Sequence, residues 1–401
     1  MAIEGRDEVR DGGRIRIGMV GGGEGAFIGA VHRIAMRIDD NYDLVAGALS
    51  STPEKSLRSG AALGLDPKRT YASYEEMAKC EAPRKDGIEA VAIVTPNHMH
   101  VPPALAFLKA GIHVICDKPL SISLKEAQKL KGAVAASGKI FALTHNYTGY
   151  PLVRQAREMV ASGELGEIRL VQVEYPQDWL TENVEKTGQK QADWRTDPAR
   201  SGAGGAIGDI GTHAYNLADF ITQLPVSQIS AELTSFVPGR RLDDNCQISL
   251  RYANGARGTI WVSQVAPGHE NGLKIRIYGS KGGLEWVQAN PNYLTYSRLG
   301  QPQVTLTRGG PGTGAAAARV TRIPGGHPEG YLEGFANIYT EISRAIRAAR
   351  TGASLDPAVI FPGLEDGLKG MAFIEAAVAS SKKDGKWVAL KLQVAPEAKT
   401  T

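Results

Sequence analysis

Residues 14–39, RIRIGMVGGGEGAFIGAVHRIAMRID, join an apolar run to a helix-patterned segment through a glycine-rich turn. Ile15 to Val20 read as a buried strand, and Ile28, Val31, Ile34, Ala35 and Ile38 fall at helical spacing. The pattern continues beyond this first unit. YDLVAGALS (42–50), GIEAVAIVT (87–95) and GIHVICD (111–117) are further β-rich runs, with the helix-like PPALAFLKA between the last two. Strand and helix alternating to about residue 145 predict an α/β domain with a parallel, doubly wound Rossmann-type sheet. Such a sheet takes its ligands at the carboxyl ends of its strands.

The first turn meets that use with one departure. A dinucleotide fingerprint runs G-x-G-x-x-G, but here the glycines stand at 21, 23 and 29, the last three residues late. Gly21 and Gly23 suit a tight turn with accessible backbone, and Gly29 lets the helix pack close to the strand. Lengthening the loop from about six to nine residues costs roughly 0.4 kcal/mol of closure entropy. Free N–H groups at the helix start favour a pyrophosphate. Gly21, Gly23, Ala26, Phe27 and Ile28 are therefore candidate cofactor contacts; the alternative is a tight turn that holds nothing. NAD-binding versions place an acid on the ribose about 20 residues after the last glycine. Here Ser50 stands 21 residues after Gly29, with Lys55 and Arg58 following. That cluster suits a 2′-phosphate, and equally the N-cap of a helix beginning near Pro53. The cofactor is NAD or NADP.

After residue 145 the pattern changes. IRLVQVEYPQDWL, QISLRYANGARGTIWVSQV and GLKIRIYGSKGGLEWV read as long strands, with turn signals at Asn254-Gly255 and Lys281-Gly282-Gly283. The helix-like YLEGFANIYTEISRAIRAA follows late. Residues 1–13 read as a flexible tail, 14–145 as the dinucleotide-binding domain, and 146–395 as an α+β domain with a large, mostly antiparallel sheet. That second domain is expected to bind substrate and to self-associate as a dimer or tetramer, since strands such as GTIWVSQV leave apolar area uncovered. TENVEKTGQKQ (181–191) and GGPGTGAAAA (309–318) read as mobile.

Composition excludes several classes. The 46 basic and 42 acidic residues are scattered without a basic block, which argues against nucleic acid or a membrane surface as partner. No apolar run is long enough to span a bilayer, and the polar N-terminus lacks an apolar signal core. The 3 cysteines are too few and too far apart for a disulfide framework, so a cytoplasmic setting is expected.

Three stretches fit one family. IVTPNHMHVPPALAFLKAGIHVICDKPLSISLKEAQKL, HNYTGYPLVRQAREMVASGELGEIRLVQVEY and GGAIGDIGTHAYNLADF together resemble the Gfo/Idh/MocA oxidoreductases, from Ile15 to about Leu390. Gly29-x-x-His32 matches the end of that family's first loop. Departures are Asp117-Lys118-Pro119 in place of E-K-P, Asn216 where Asp is common, and Ser50 in place of the acid. The resemblance implies an NAD(P)-dependent enzyme oxidising a secondary alcohol of a cyclic polyol or sugar, with an inositol as first choice.

The chemistry needs a base for the hydroxyl proton and a cation for the developing oxyanion. Lys118, at a strand end, suits the cation. Asp209 and His213 are four apart, which on a helix places them on one face. Ile210, Ala214, Leu217 and Ile221 make the anchoring stripe. His213 is the candidate base, with Asp209 bonding substrate or biasing the imidazole. The alternatives are a capping Asp with a surface His, or half a metal site, for which no third and fourth ligands stand out; no metal is expected. Thr95, Pro96, Asn97, His98, His100, Asp117 and Lys118 are expected on the nicotinamide side. Tyr147, Gln177, Asp178, Trp194, Arg195, His269 and His327, with His213, are candidates for the substrate pocket. Two rivals remain. One is an NAD-dependent glycosidase using transient ring oxidation, with Tyr147 or Tyr150 as the extra base. The other is a non-catalytic cofactor-binding sensor.

Overall fold

The computed structural model describes residues 13–392. All but the last residue of the expected N-terminal tail lies outside them. The first domain runs β1 (Ile15–Gly21), α1 (Phe27–Ile38), β2 (Tyr42–Ala48), α2 (Pro53–Ala62), α3 (Tyr74–Glu81), β3 (Ala90–Val94), α4 (Val101–Lys109), β4 (His113–Cys116), α5 (Leu124–Ser137) and β5 (Phe141–Leu143). Its five strands are parallel in the order β2-β1-β3-β4-β5. The chain winds outward from β1 to β2 and then crosses back to β3, which opens a crevice at the strands' carboxyl ends.

The sheet is buried on both faces, as a parallel sheet must be. On one side β1 and β3 pack on α1, whose inward face is Val31, His32, Ala35 and Met36; Ile34 and Ile38 of the expected stripe are exposed. The rest of that side is covered from far along the chain. Helix residues 331–351 bring Phe335, Ala336, Ile338, Tyr339, Ile342 and Ile346 against Ile15, Ile17, Met19, Ala90 and Ala92. The Tyr42 hydroxyl donates to the Tyr339 carbonyl at 2.8 Å, and His32 Nδ1 lies 2.7 Å from the Tyr339 hydroxyl. The expected division at residue 145 is therefore crossed. α1 alone is too narrow to cover its side, and a C-terminal helix completes it.

The second unit runs α6 (Pro151–Ala161), β6 (Ile168–Pro176), α7 (Lys190–Arg195), α8 (Pro198–Ser201), one π-helical turn (Ile207–Gly211), α9 (Thr212–Thr222), β7 (Val226–Thr234), β8 (Asn245–Tyr252), β9 (Arg257–Ser263), β10 (Lys274–Gly279), β11 (Gly282–Val287), β12 (Tyr293–Arg298), β13 (Val304–Thr307), α10 (Ala315–Ala318), α11 (Tyr331–Thr351), α12 (Leu364–Ser381) and β14 (Val388–Ala389). The nine strands order β13-β12-β11-β10-β6-β9-β8-β7-β14, and only the central β6–β9 pairing is parallel. Period-two burial is plain in β8: Cys246, Ile248, Leu250 and Tyr252 point inward under the helices, and Gln247 and Ser249 point out. Neither segment expected to be mobile is without structure. Residues 184–187 form a 3₁₀ turn held through Glu185 by buried Arg240, and the Gly314 N–H before α10 donates to Gln155 at 2.6 Å.

Buried histidines make the fold acid-sensitive. Burial pushes His32 down to about 4; burial and Lys139 push His113 down to about 4. As pH falls below about 6.5 the unfolded chain takes up protons that the folded chain refuses, so stability is lost on the way from pH 6.5 toward 4. His32 alone contributes about 2 kcal/mol of loss by pH 5. Denaturant unfolding of the wild type and His32→Gln at pH 7 and 5 checks this. Equal acid losses in the two would refute it.

Candidate active site

A cavity of about 1050 Å³ runs along the carboxyl ends of the first sheet's strands to the second sheet. That is at the upper end of small-molecule pockets, enough for a dinucleotide and a sugar-sized molecule together.

One end is the glycine loop. Gly21, Gly23, Ala26, Phe27 and Ile28 line it, with Gly22 and Glu24. A Cβ on Gly23 would lie 2.6 Å from the Leu49 carbonyl oxygen, so the loop closes tightly on β2. α1 starts at Phe27 with neither a side-chain cap on Ala26 nor an acid in its first turn. Its first N–H groups are thus free for an anion. Gly29 is off the wall: a Cβ there would lie 2.4 Å from Gly22 Cα and 2.5 Å from its carbonyl oxygen. The three added residues therefore sit before the helix, and Gly29 keeps the close contact that the fingerprint's last glycine provides. Gly25 takes φ +75 in open space within that added loop. At the end of β2 the wall is Ser50, Ser51 and Lys55, and Glu75 of α3 is a carboxylate that also lines the cavity.

Thr95, Pro96, Asn97, His98, Met99, Asp117 and Lys118 line the middle. His100 does not. It is buried, with its ring nitrogens 2.7 Å from the Pro119 carbonyl oxygen and 2.8 Å from that of Thr95, tying two strand ends together. The 3₁₀ turn Asn97–Met99 sets this phase, turning His98 to the cavity and His100 away. Asp117 accepts from its neighbour's N–H at 2.9 Å and from the Thr144 hydroxyl at 2.9 Å, so the shortened acid braces the turn that presents Lys118.

At the far end Lys118 Nζ lies 3.1 Å from Asp209 Oδ1 and also donates to the Asp209 carbonyl. Asp209 Oδ2 accepts from Gln264 Nε2 at 2.9 Å and lies 3.3 Å from Arg195 Nε. Burial alone would raise the Asp209 carboxyl. The Lys118 and Arg195 charges, with hydrogen bonds from Lys118 and Gln264, outweigh it and hold it well below the usual carboxylate range. Asp209 and His213 both line the cavity. The turn between them is not the α-helix expected: Asp209 sits in the π-helical turn and His213 in the first turn of α9. The stripe Ile210, Ala214, Leu217 and Ile221 is buried as expected.

His213 faces rings instead: His145 at 5.4 Å, Tyr147 at 4.9 Å and Tyr175 at 6.4 Å between centroids. Its Nδ1 has no protein partner. Burial, then Lys118 and His145, push it well below the ordinary imidazole range, against an opposing pull from Asp209. His145 is pushed down to about 3 by burial and Lys118. Both rings are neutral at pH 7.

The polar wall is wired in one direction. Asn271 Oδ1 accepts from the Tyr175 hydroxyl and from Gln177 Nε2, both at 2.8 Å, while its amide donates to Gln288 Oε1 at 3.0 Å. Tyr175 therefore accepts from Tyr147 at 2.6 Å. Trp194 and Arg195 also line the cavity, the guanidinium over the indole at 4.2 Å. His269 and His327 are exposed on loops off this wall, and Asp178 is turned to the backbone of Gly268. Sequence reasoning missed Tyr175, Asn271, Gln264, Gln288 and the nearby His145. Tyr175 alone carried a signal, the carboxyl end of a predicted strand. Among the described residues no group of three or more His, Cys, Asp or Glu is placed so that it could hold a metal ion.

Comparisons with known proteins place the fold in a family. Residues 15–145 match the oxidoreductase family model with an NAD-binding Rossmann fold, and residues 153–285 match the GFO/IDH/MocA C-terminal domain. The crystal structure of an oxidoreductase from Sinorhizobium meliloti is 58% identical, with a TM-score of 0.85 over 94% of this chain and 99% of that one. An inositol dehydrogenase homolog from Azotobacter vinelandii, complexed with NAD⁺, is 37% identical with a TM-score of 0.91 over 94% of this chain and 98% of that one. The levoglucosan dehydrogenase of Pseudarthrobacter phenanthrenivorans is 26% identical over 67% of this chain and 73% of its own.

Proposed function

The chain belongs to the Gfo/Idh/MocA oxidoreductases and carries their NAD-binding Rossmann domain; from that premise we propose that it oxidises a secondary alcohol of a neutral cyclic polyol or sugar, an inositol before others. The observation that carries this is Lys118 paired with Asp209 beside a neutral His213, at the inner end of a cavity whose other end is an open helix N-terminus. The inositol dehydrogenase homolog has also been crystallised with NADH and myo-inositol.

A bound nicotinamide would supply the acceptor for the hydride released when the alcohol carbon's C–H bond breaks. The chain's residues do the rest. Lys118 donates to the alcohol oxygen and stabilises its growing negative charge. Asp209 aims the ammonium. His213, kept neutral by burial and by Lys118, accepts the hydroxyl proton. Tyr147, Gln177 and the residues wired to them meet the other hydroxyls. A neutral substrate is supported at the reacting end, where Lys118 and Arg195 both face Asp209, and the anionic arm of the screen tests whether Lys190 on the same wall takes a charged one. The glycosidase reading gains nothing, because Tyr150 is off the cavity wall and the Tyr147 hydroxyl proton is committed to Tyr175.

The test is a screen of inositols, glucosides and anionic sugars with NAD⁺ and NADP⁺ separately, followed at the reduced cofactor's absorbance. Turnover of neutral cyclic polyols is expected. Turnover confined to anionic sugars would overturn the substrate reading, and cofactor binding with no turnover would favour the sensor.

Two finer readings go with this. Ser50, Ser51 and Lys55 at the ribose end admit a 2′-phosphate, so NADP⁺ should also serve. Lys55→Ala should then weaken NADP⁺ binding about tenfold relative to NAD⁺; a strong NAD preference that survives the substitution would sink this. Self-association as a dimer or tetramer is supported by the outer face of the second sheet. There Leu170 and Tyr278 are exposed and sit opposite each other across β6 and β10. Light scattering that shows only monomer would refute it. Cys80, Cys116 and Cys246 are all unpaired, which fits a reducing cytoplasm. No helix among the described residues is long and apolar enough to cross a membrane.

A further inference from the structure

We propose that Arg195 is a positioning residue for Asp209: it docks the segment covering the cavity onto the reacting pair and sets how the carboxylate is shared. The proposal rests on the roles just given to Lys118, Asp209 and His213.

The two oxygens of Asp209 are divided. Oδ1 faces Lys118 Nζ at 3.1 Å, and Oδ2 faces Gln264 at 2.9 Å and Arg195 Nε at 3.3 Å. Arg195 is built as a rigid head. Its Nη1 donates to the carbonyl and side-chain oxygens of Gln191 one turn back, and its plane lies over Trp194. These contacts come from α7 itself, and the reach beyond that helix is to Asp209.

The segment that carries it is anchored at both ends. At its start, buried Arg240 donates to the Leu180 carbonyl at 2.8 Å and to Glu185 at 3.0 Å. At its end, Asn97 on the cofactor side donates to the Ser201 carbonyl at 3.0 Å. Between these anchors Lys190, Gln191, Trp194, Arg195 and Arg200 form cavity wall. Seating the segment and placing a second cation on Asp209 are thus one event. With Arg195 in place, Asp209 holds Lys118 less exclusively, and the ammonium keeps donor capacity for the alcohol oxygen. Without it, Lys118 is drawn wholly to the carboxylate. The other titratable groups facing Asp209 are His213 on α9, Tyr147, Tyr175 and Tyr331.

The experiment has one arm that needs no substrate. Hydrogen exchange is followed over residues 184–202 in the full ligand-free chain, for wild type, Arg195→Gln, Asp209→Asn and the double variant. Each single change should speed exchange about threefold to fivefold, and the double no more than either. Multiplying effects would overturn the docking contact, whatever the enzyme's substrate. The second arm uses the alcohol found by the screen. Arg195→Gln should lower kcat about tenfold with KM nearly unchanged. Its acidic limb, set by His213, should move to higher pH, because with the Arg195 cation gone the Asp209 charge is less compensated and favours the protonated imidazole more. Arg195→Lys should restore most of both. A raised KM with unchanged kcat and pH profile would make Arg195 a substrate contact and overturn the proposal. Coupled exchange with no alcohol turned over would leave the docking standing and refute the alcohol-oxidation reading alone.

Discussion

Lys118→Ala is expected to lower turnover a hundredfold to a thousandfold on the plateau above the acidic limb, about 3–4 kcal/mol of lost oxyanion stabilisation. The limb itself should persist and move to higher pH, because Lys118 is one of the charges that depress His213. Lys118 Nζ is held 3.1 Å from Asp209, and its removal takes the cation away from the reacting oxygen. His213→Ala should also slow turnover, and in addition should abolish the acidic limb of the pH–rate profile. In the wild type that limb should lie well below pH 6.5, because burial and Lys118 depress the imidazole. Reduced-cofactor binding, followed by fluorescence, should survive both changes, since the loop from Gly21 to Gly29 is untouched. A loss under tenfold for Lys118→Ala would remove it from the reaction. A His213→Ala enzyme with an unchanged acidic limb would place the base elsewhere.

Gly29→Ala should be costly both to the cofactor half's stability and to its hold on a dinucleotide. The added carbon would meet backbone, 2.4 Å from Gly22 Cα and 2.5 Å from its carbonyl oxygen, and no rotamer change relieves a backbone clash. Either α1 lifts from β1 or the loop opens. Overpacking of this kind costs about 1–3 kcal/mol or more, and both ways out displace the N–H groups of the helix start. Dinucleotide affinity should therefore fall at least tenfold along with stability. Gly25→Ala makes the contrast. Its Cβ would meet nothing within 4 Å, so its cost is confined to the strained φ of +75. Equal cofactor affinity in Gly29→Ala and wild type would show that the late glycine does not hold the loop.

What the sequence made legible follows from how local each feature is. The strand–turn–helix units, Lys118 at a strand end and the alternation within β8 are set by neighbours in the chain, and periodicity finds them. Asp209 and His213 were visible as a pair, and both line the cavity; the π-helical turn that carries Asp209 was not visible, because no propensity announces one. The 3₁₀ turn at Asn97 was equally silent, and it turns His98 to the cavity and His100 away. The wall of Tyr175, Asn271 and Gln288 was invisible because its members come from three places. Only the pairing of β6 with β10, and of β10 with β11, brings them within bonding distance. His269 and His327 illustrate the opposite error, since a histidine in a loop is chemically suggestive wherever the loop points.

The docking of α11 on the first sheet bears on the order in which the molecule is made. A nascent chain that has emerged only to residue 145 holds every strand of the cofactor-binding sheet. It still shows water part of the face made by Ile15, Ile17, Met19, Ala90 and Ala92, because the helix that covers it spans residues 331–351. At about 5–20 residues per second, translation leaves that interval open for roughly ten to forty seconds. The cofactor half thus leaves the ribosome ahead of the second unit yet is among the last parts to be finished, and a fragment ending before α11 should be sticky rather than a working module.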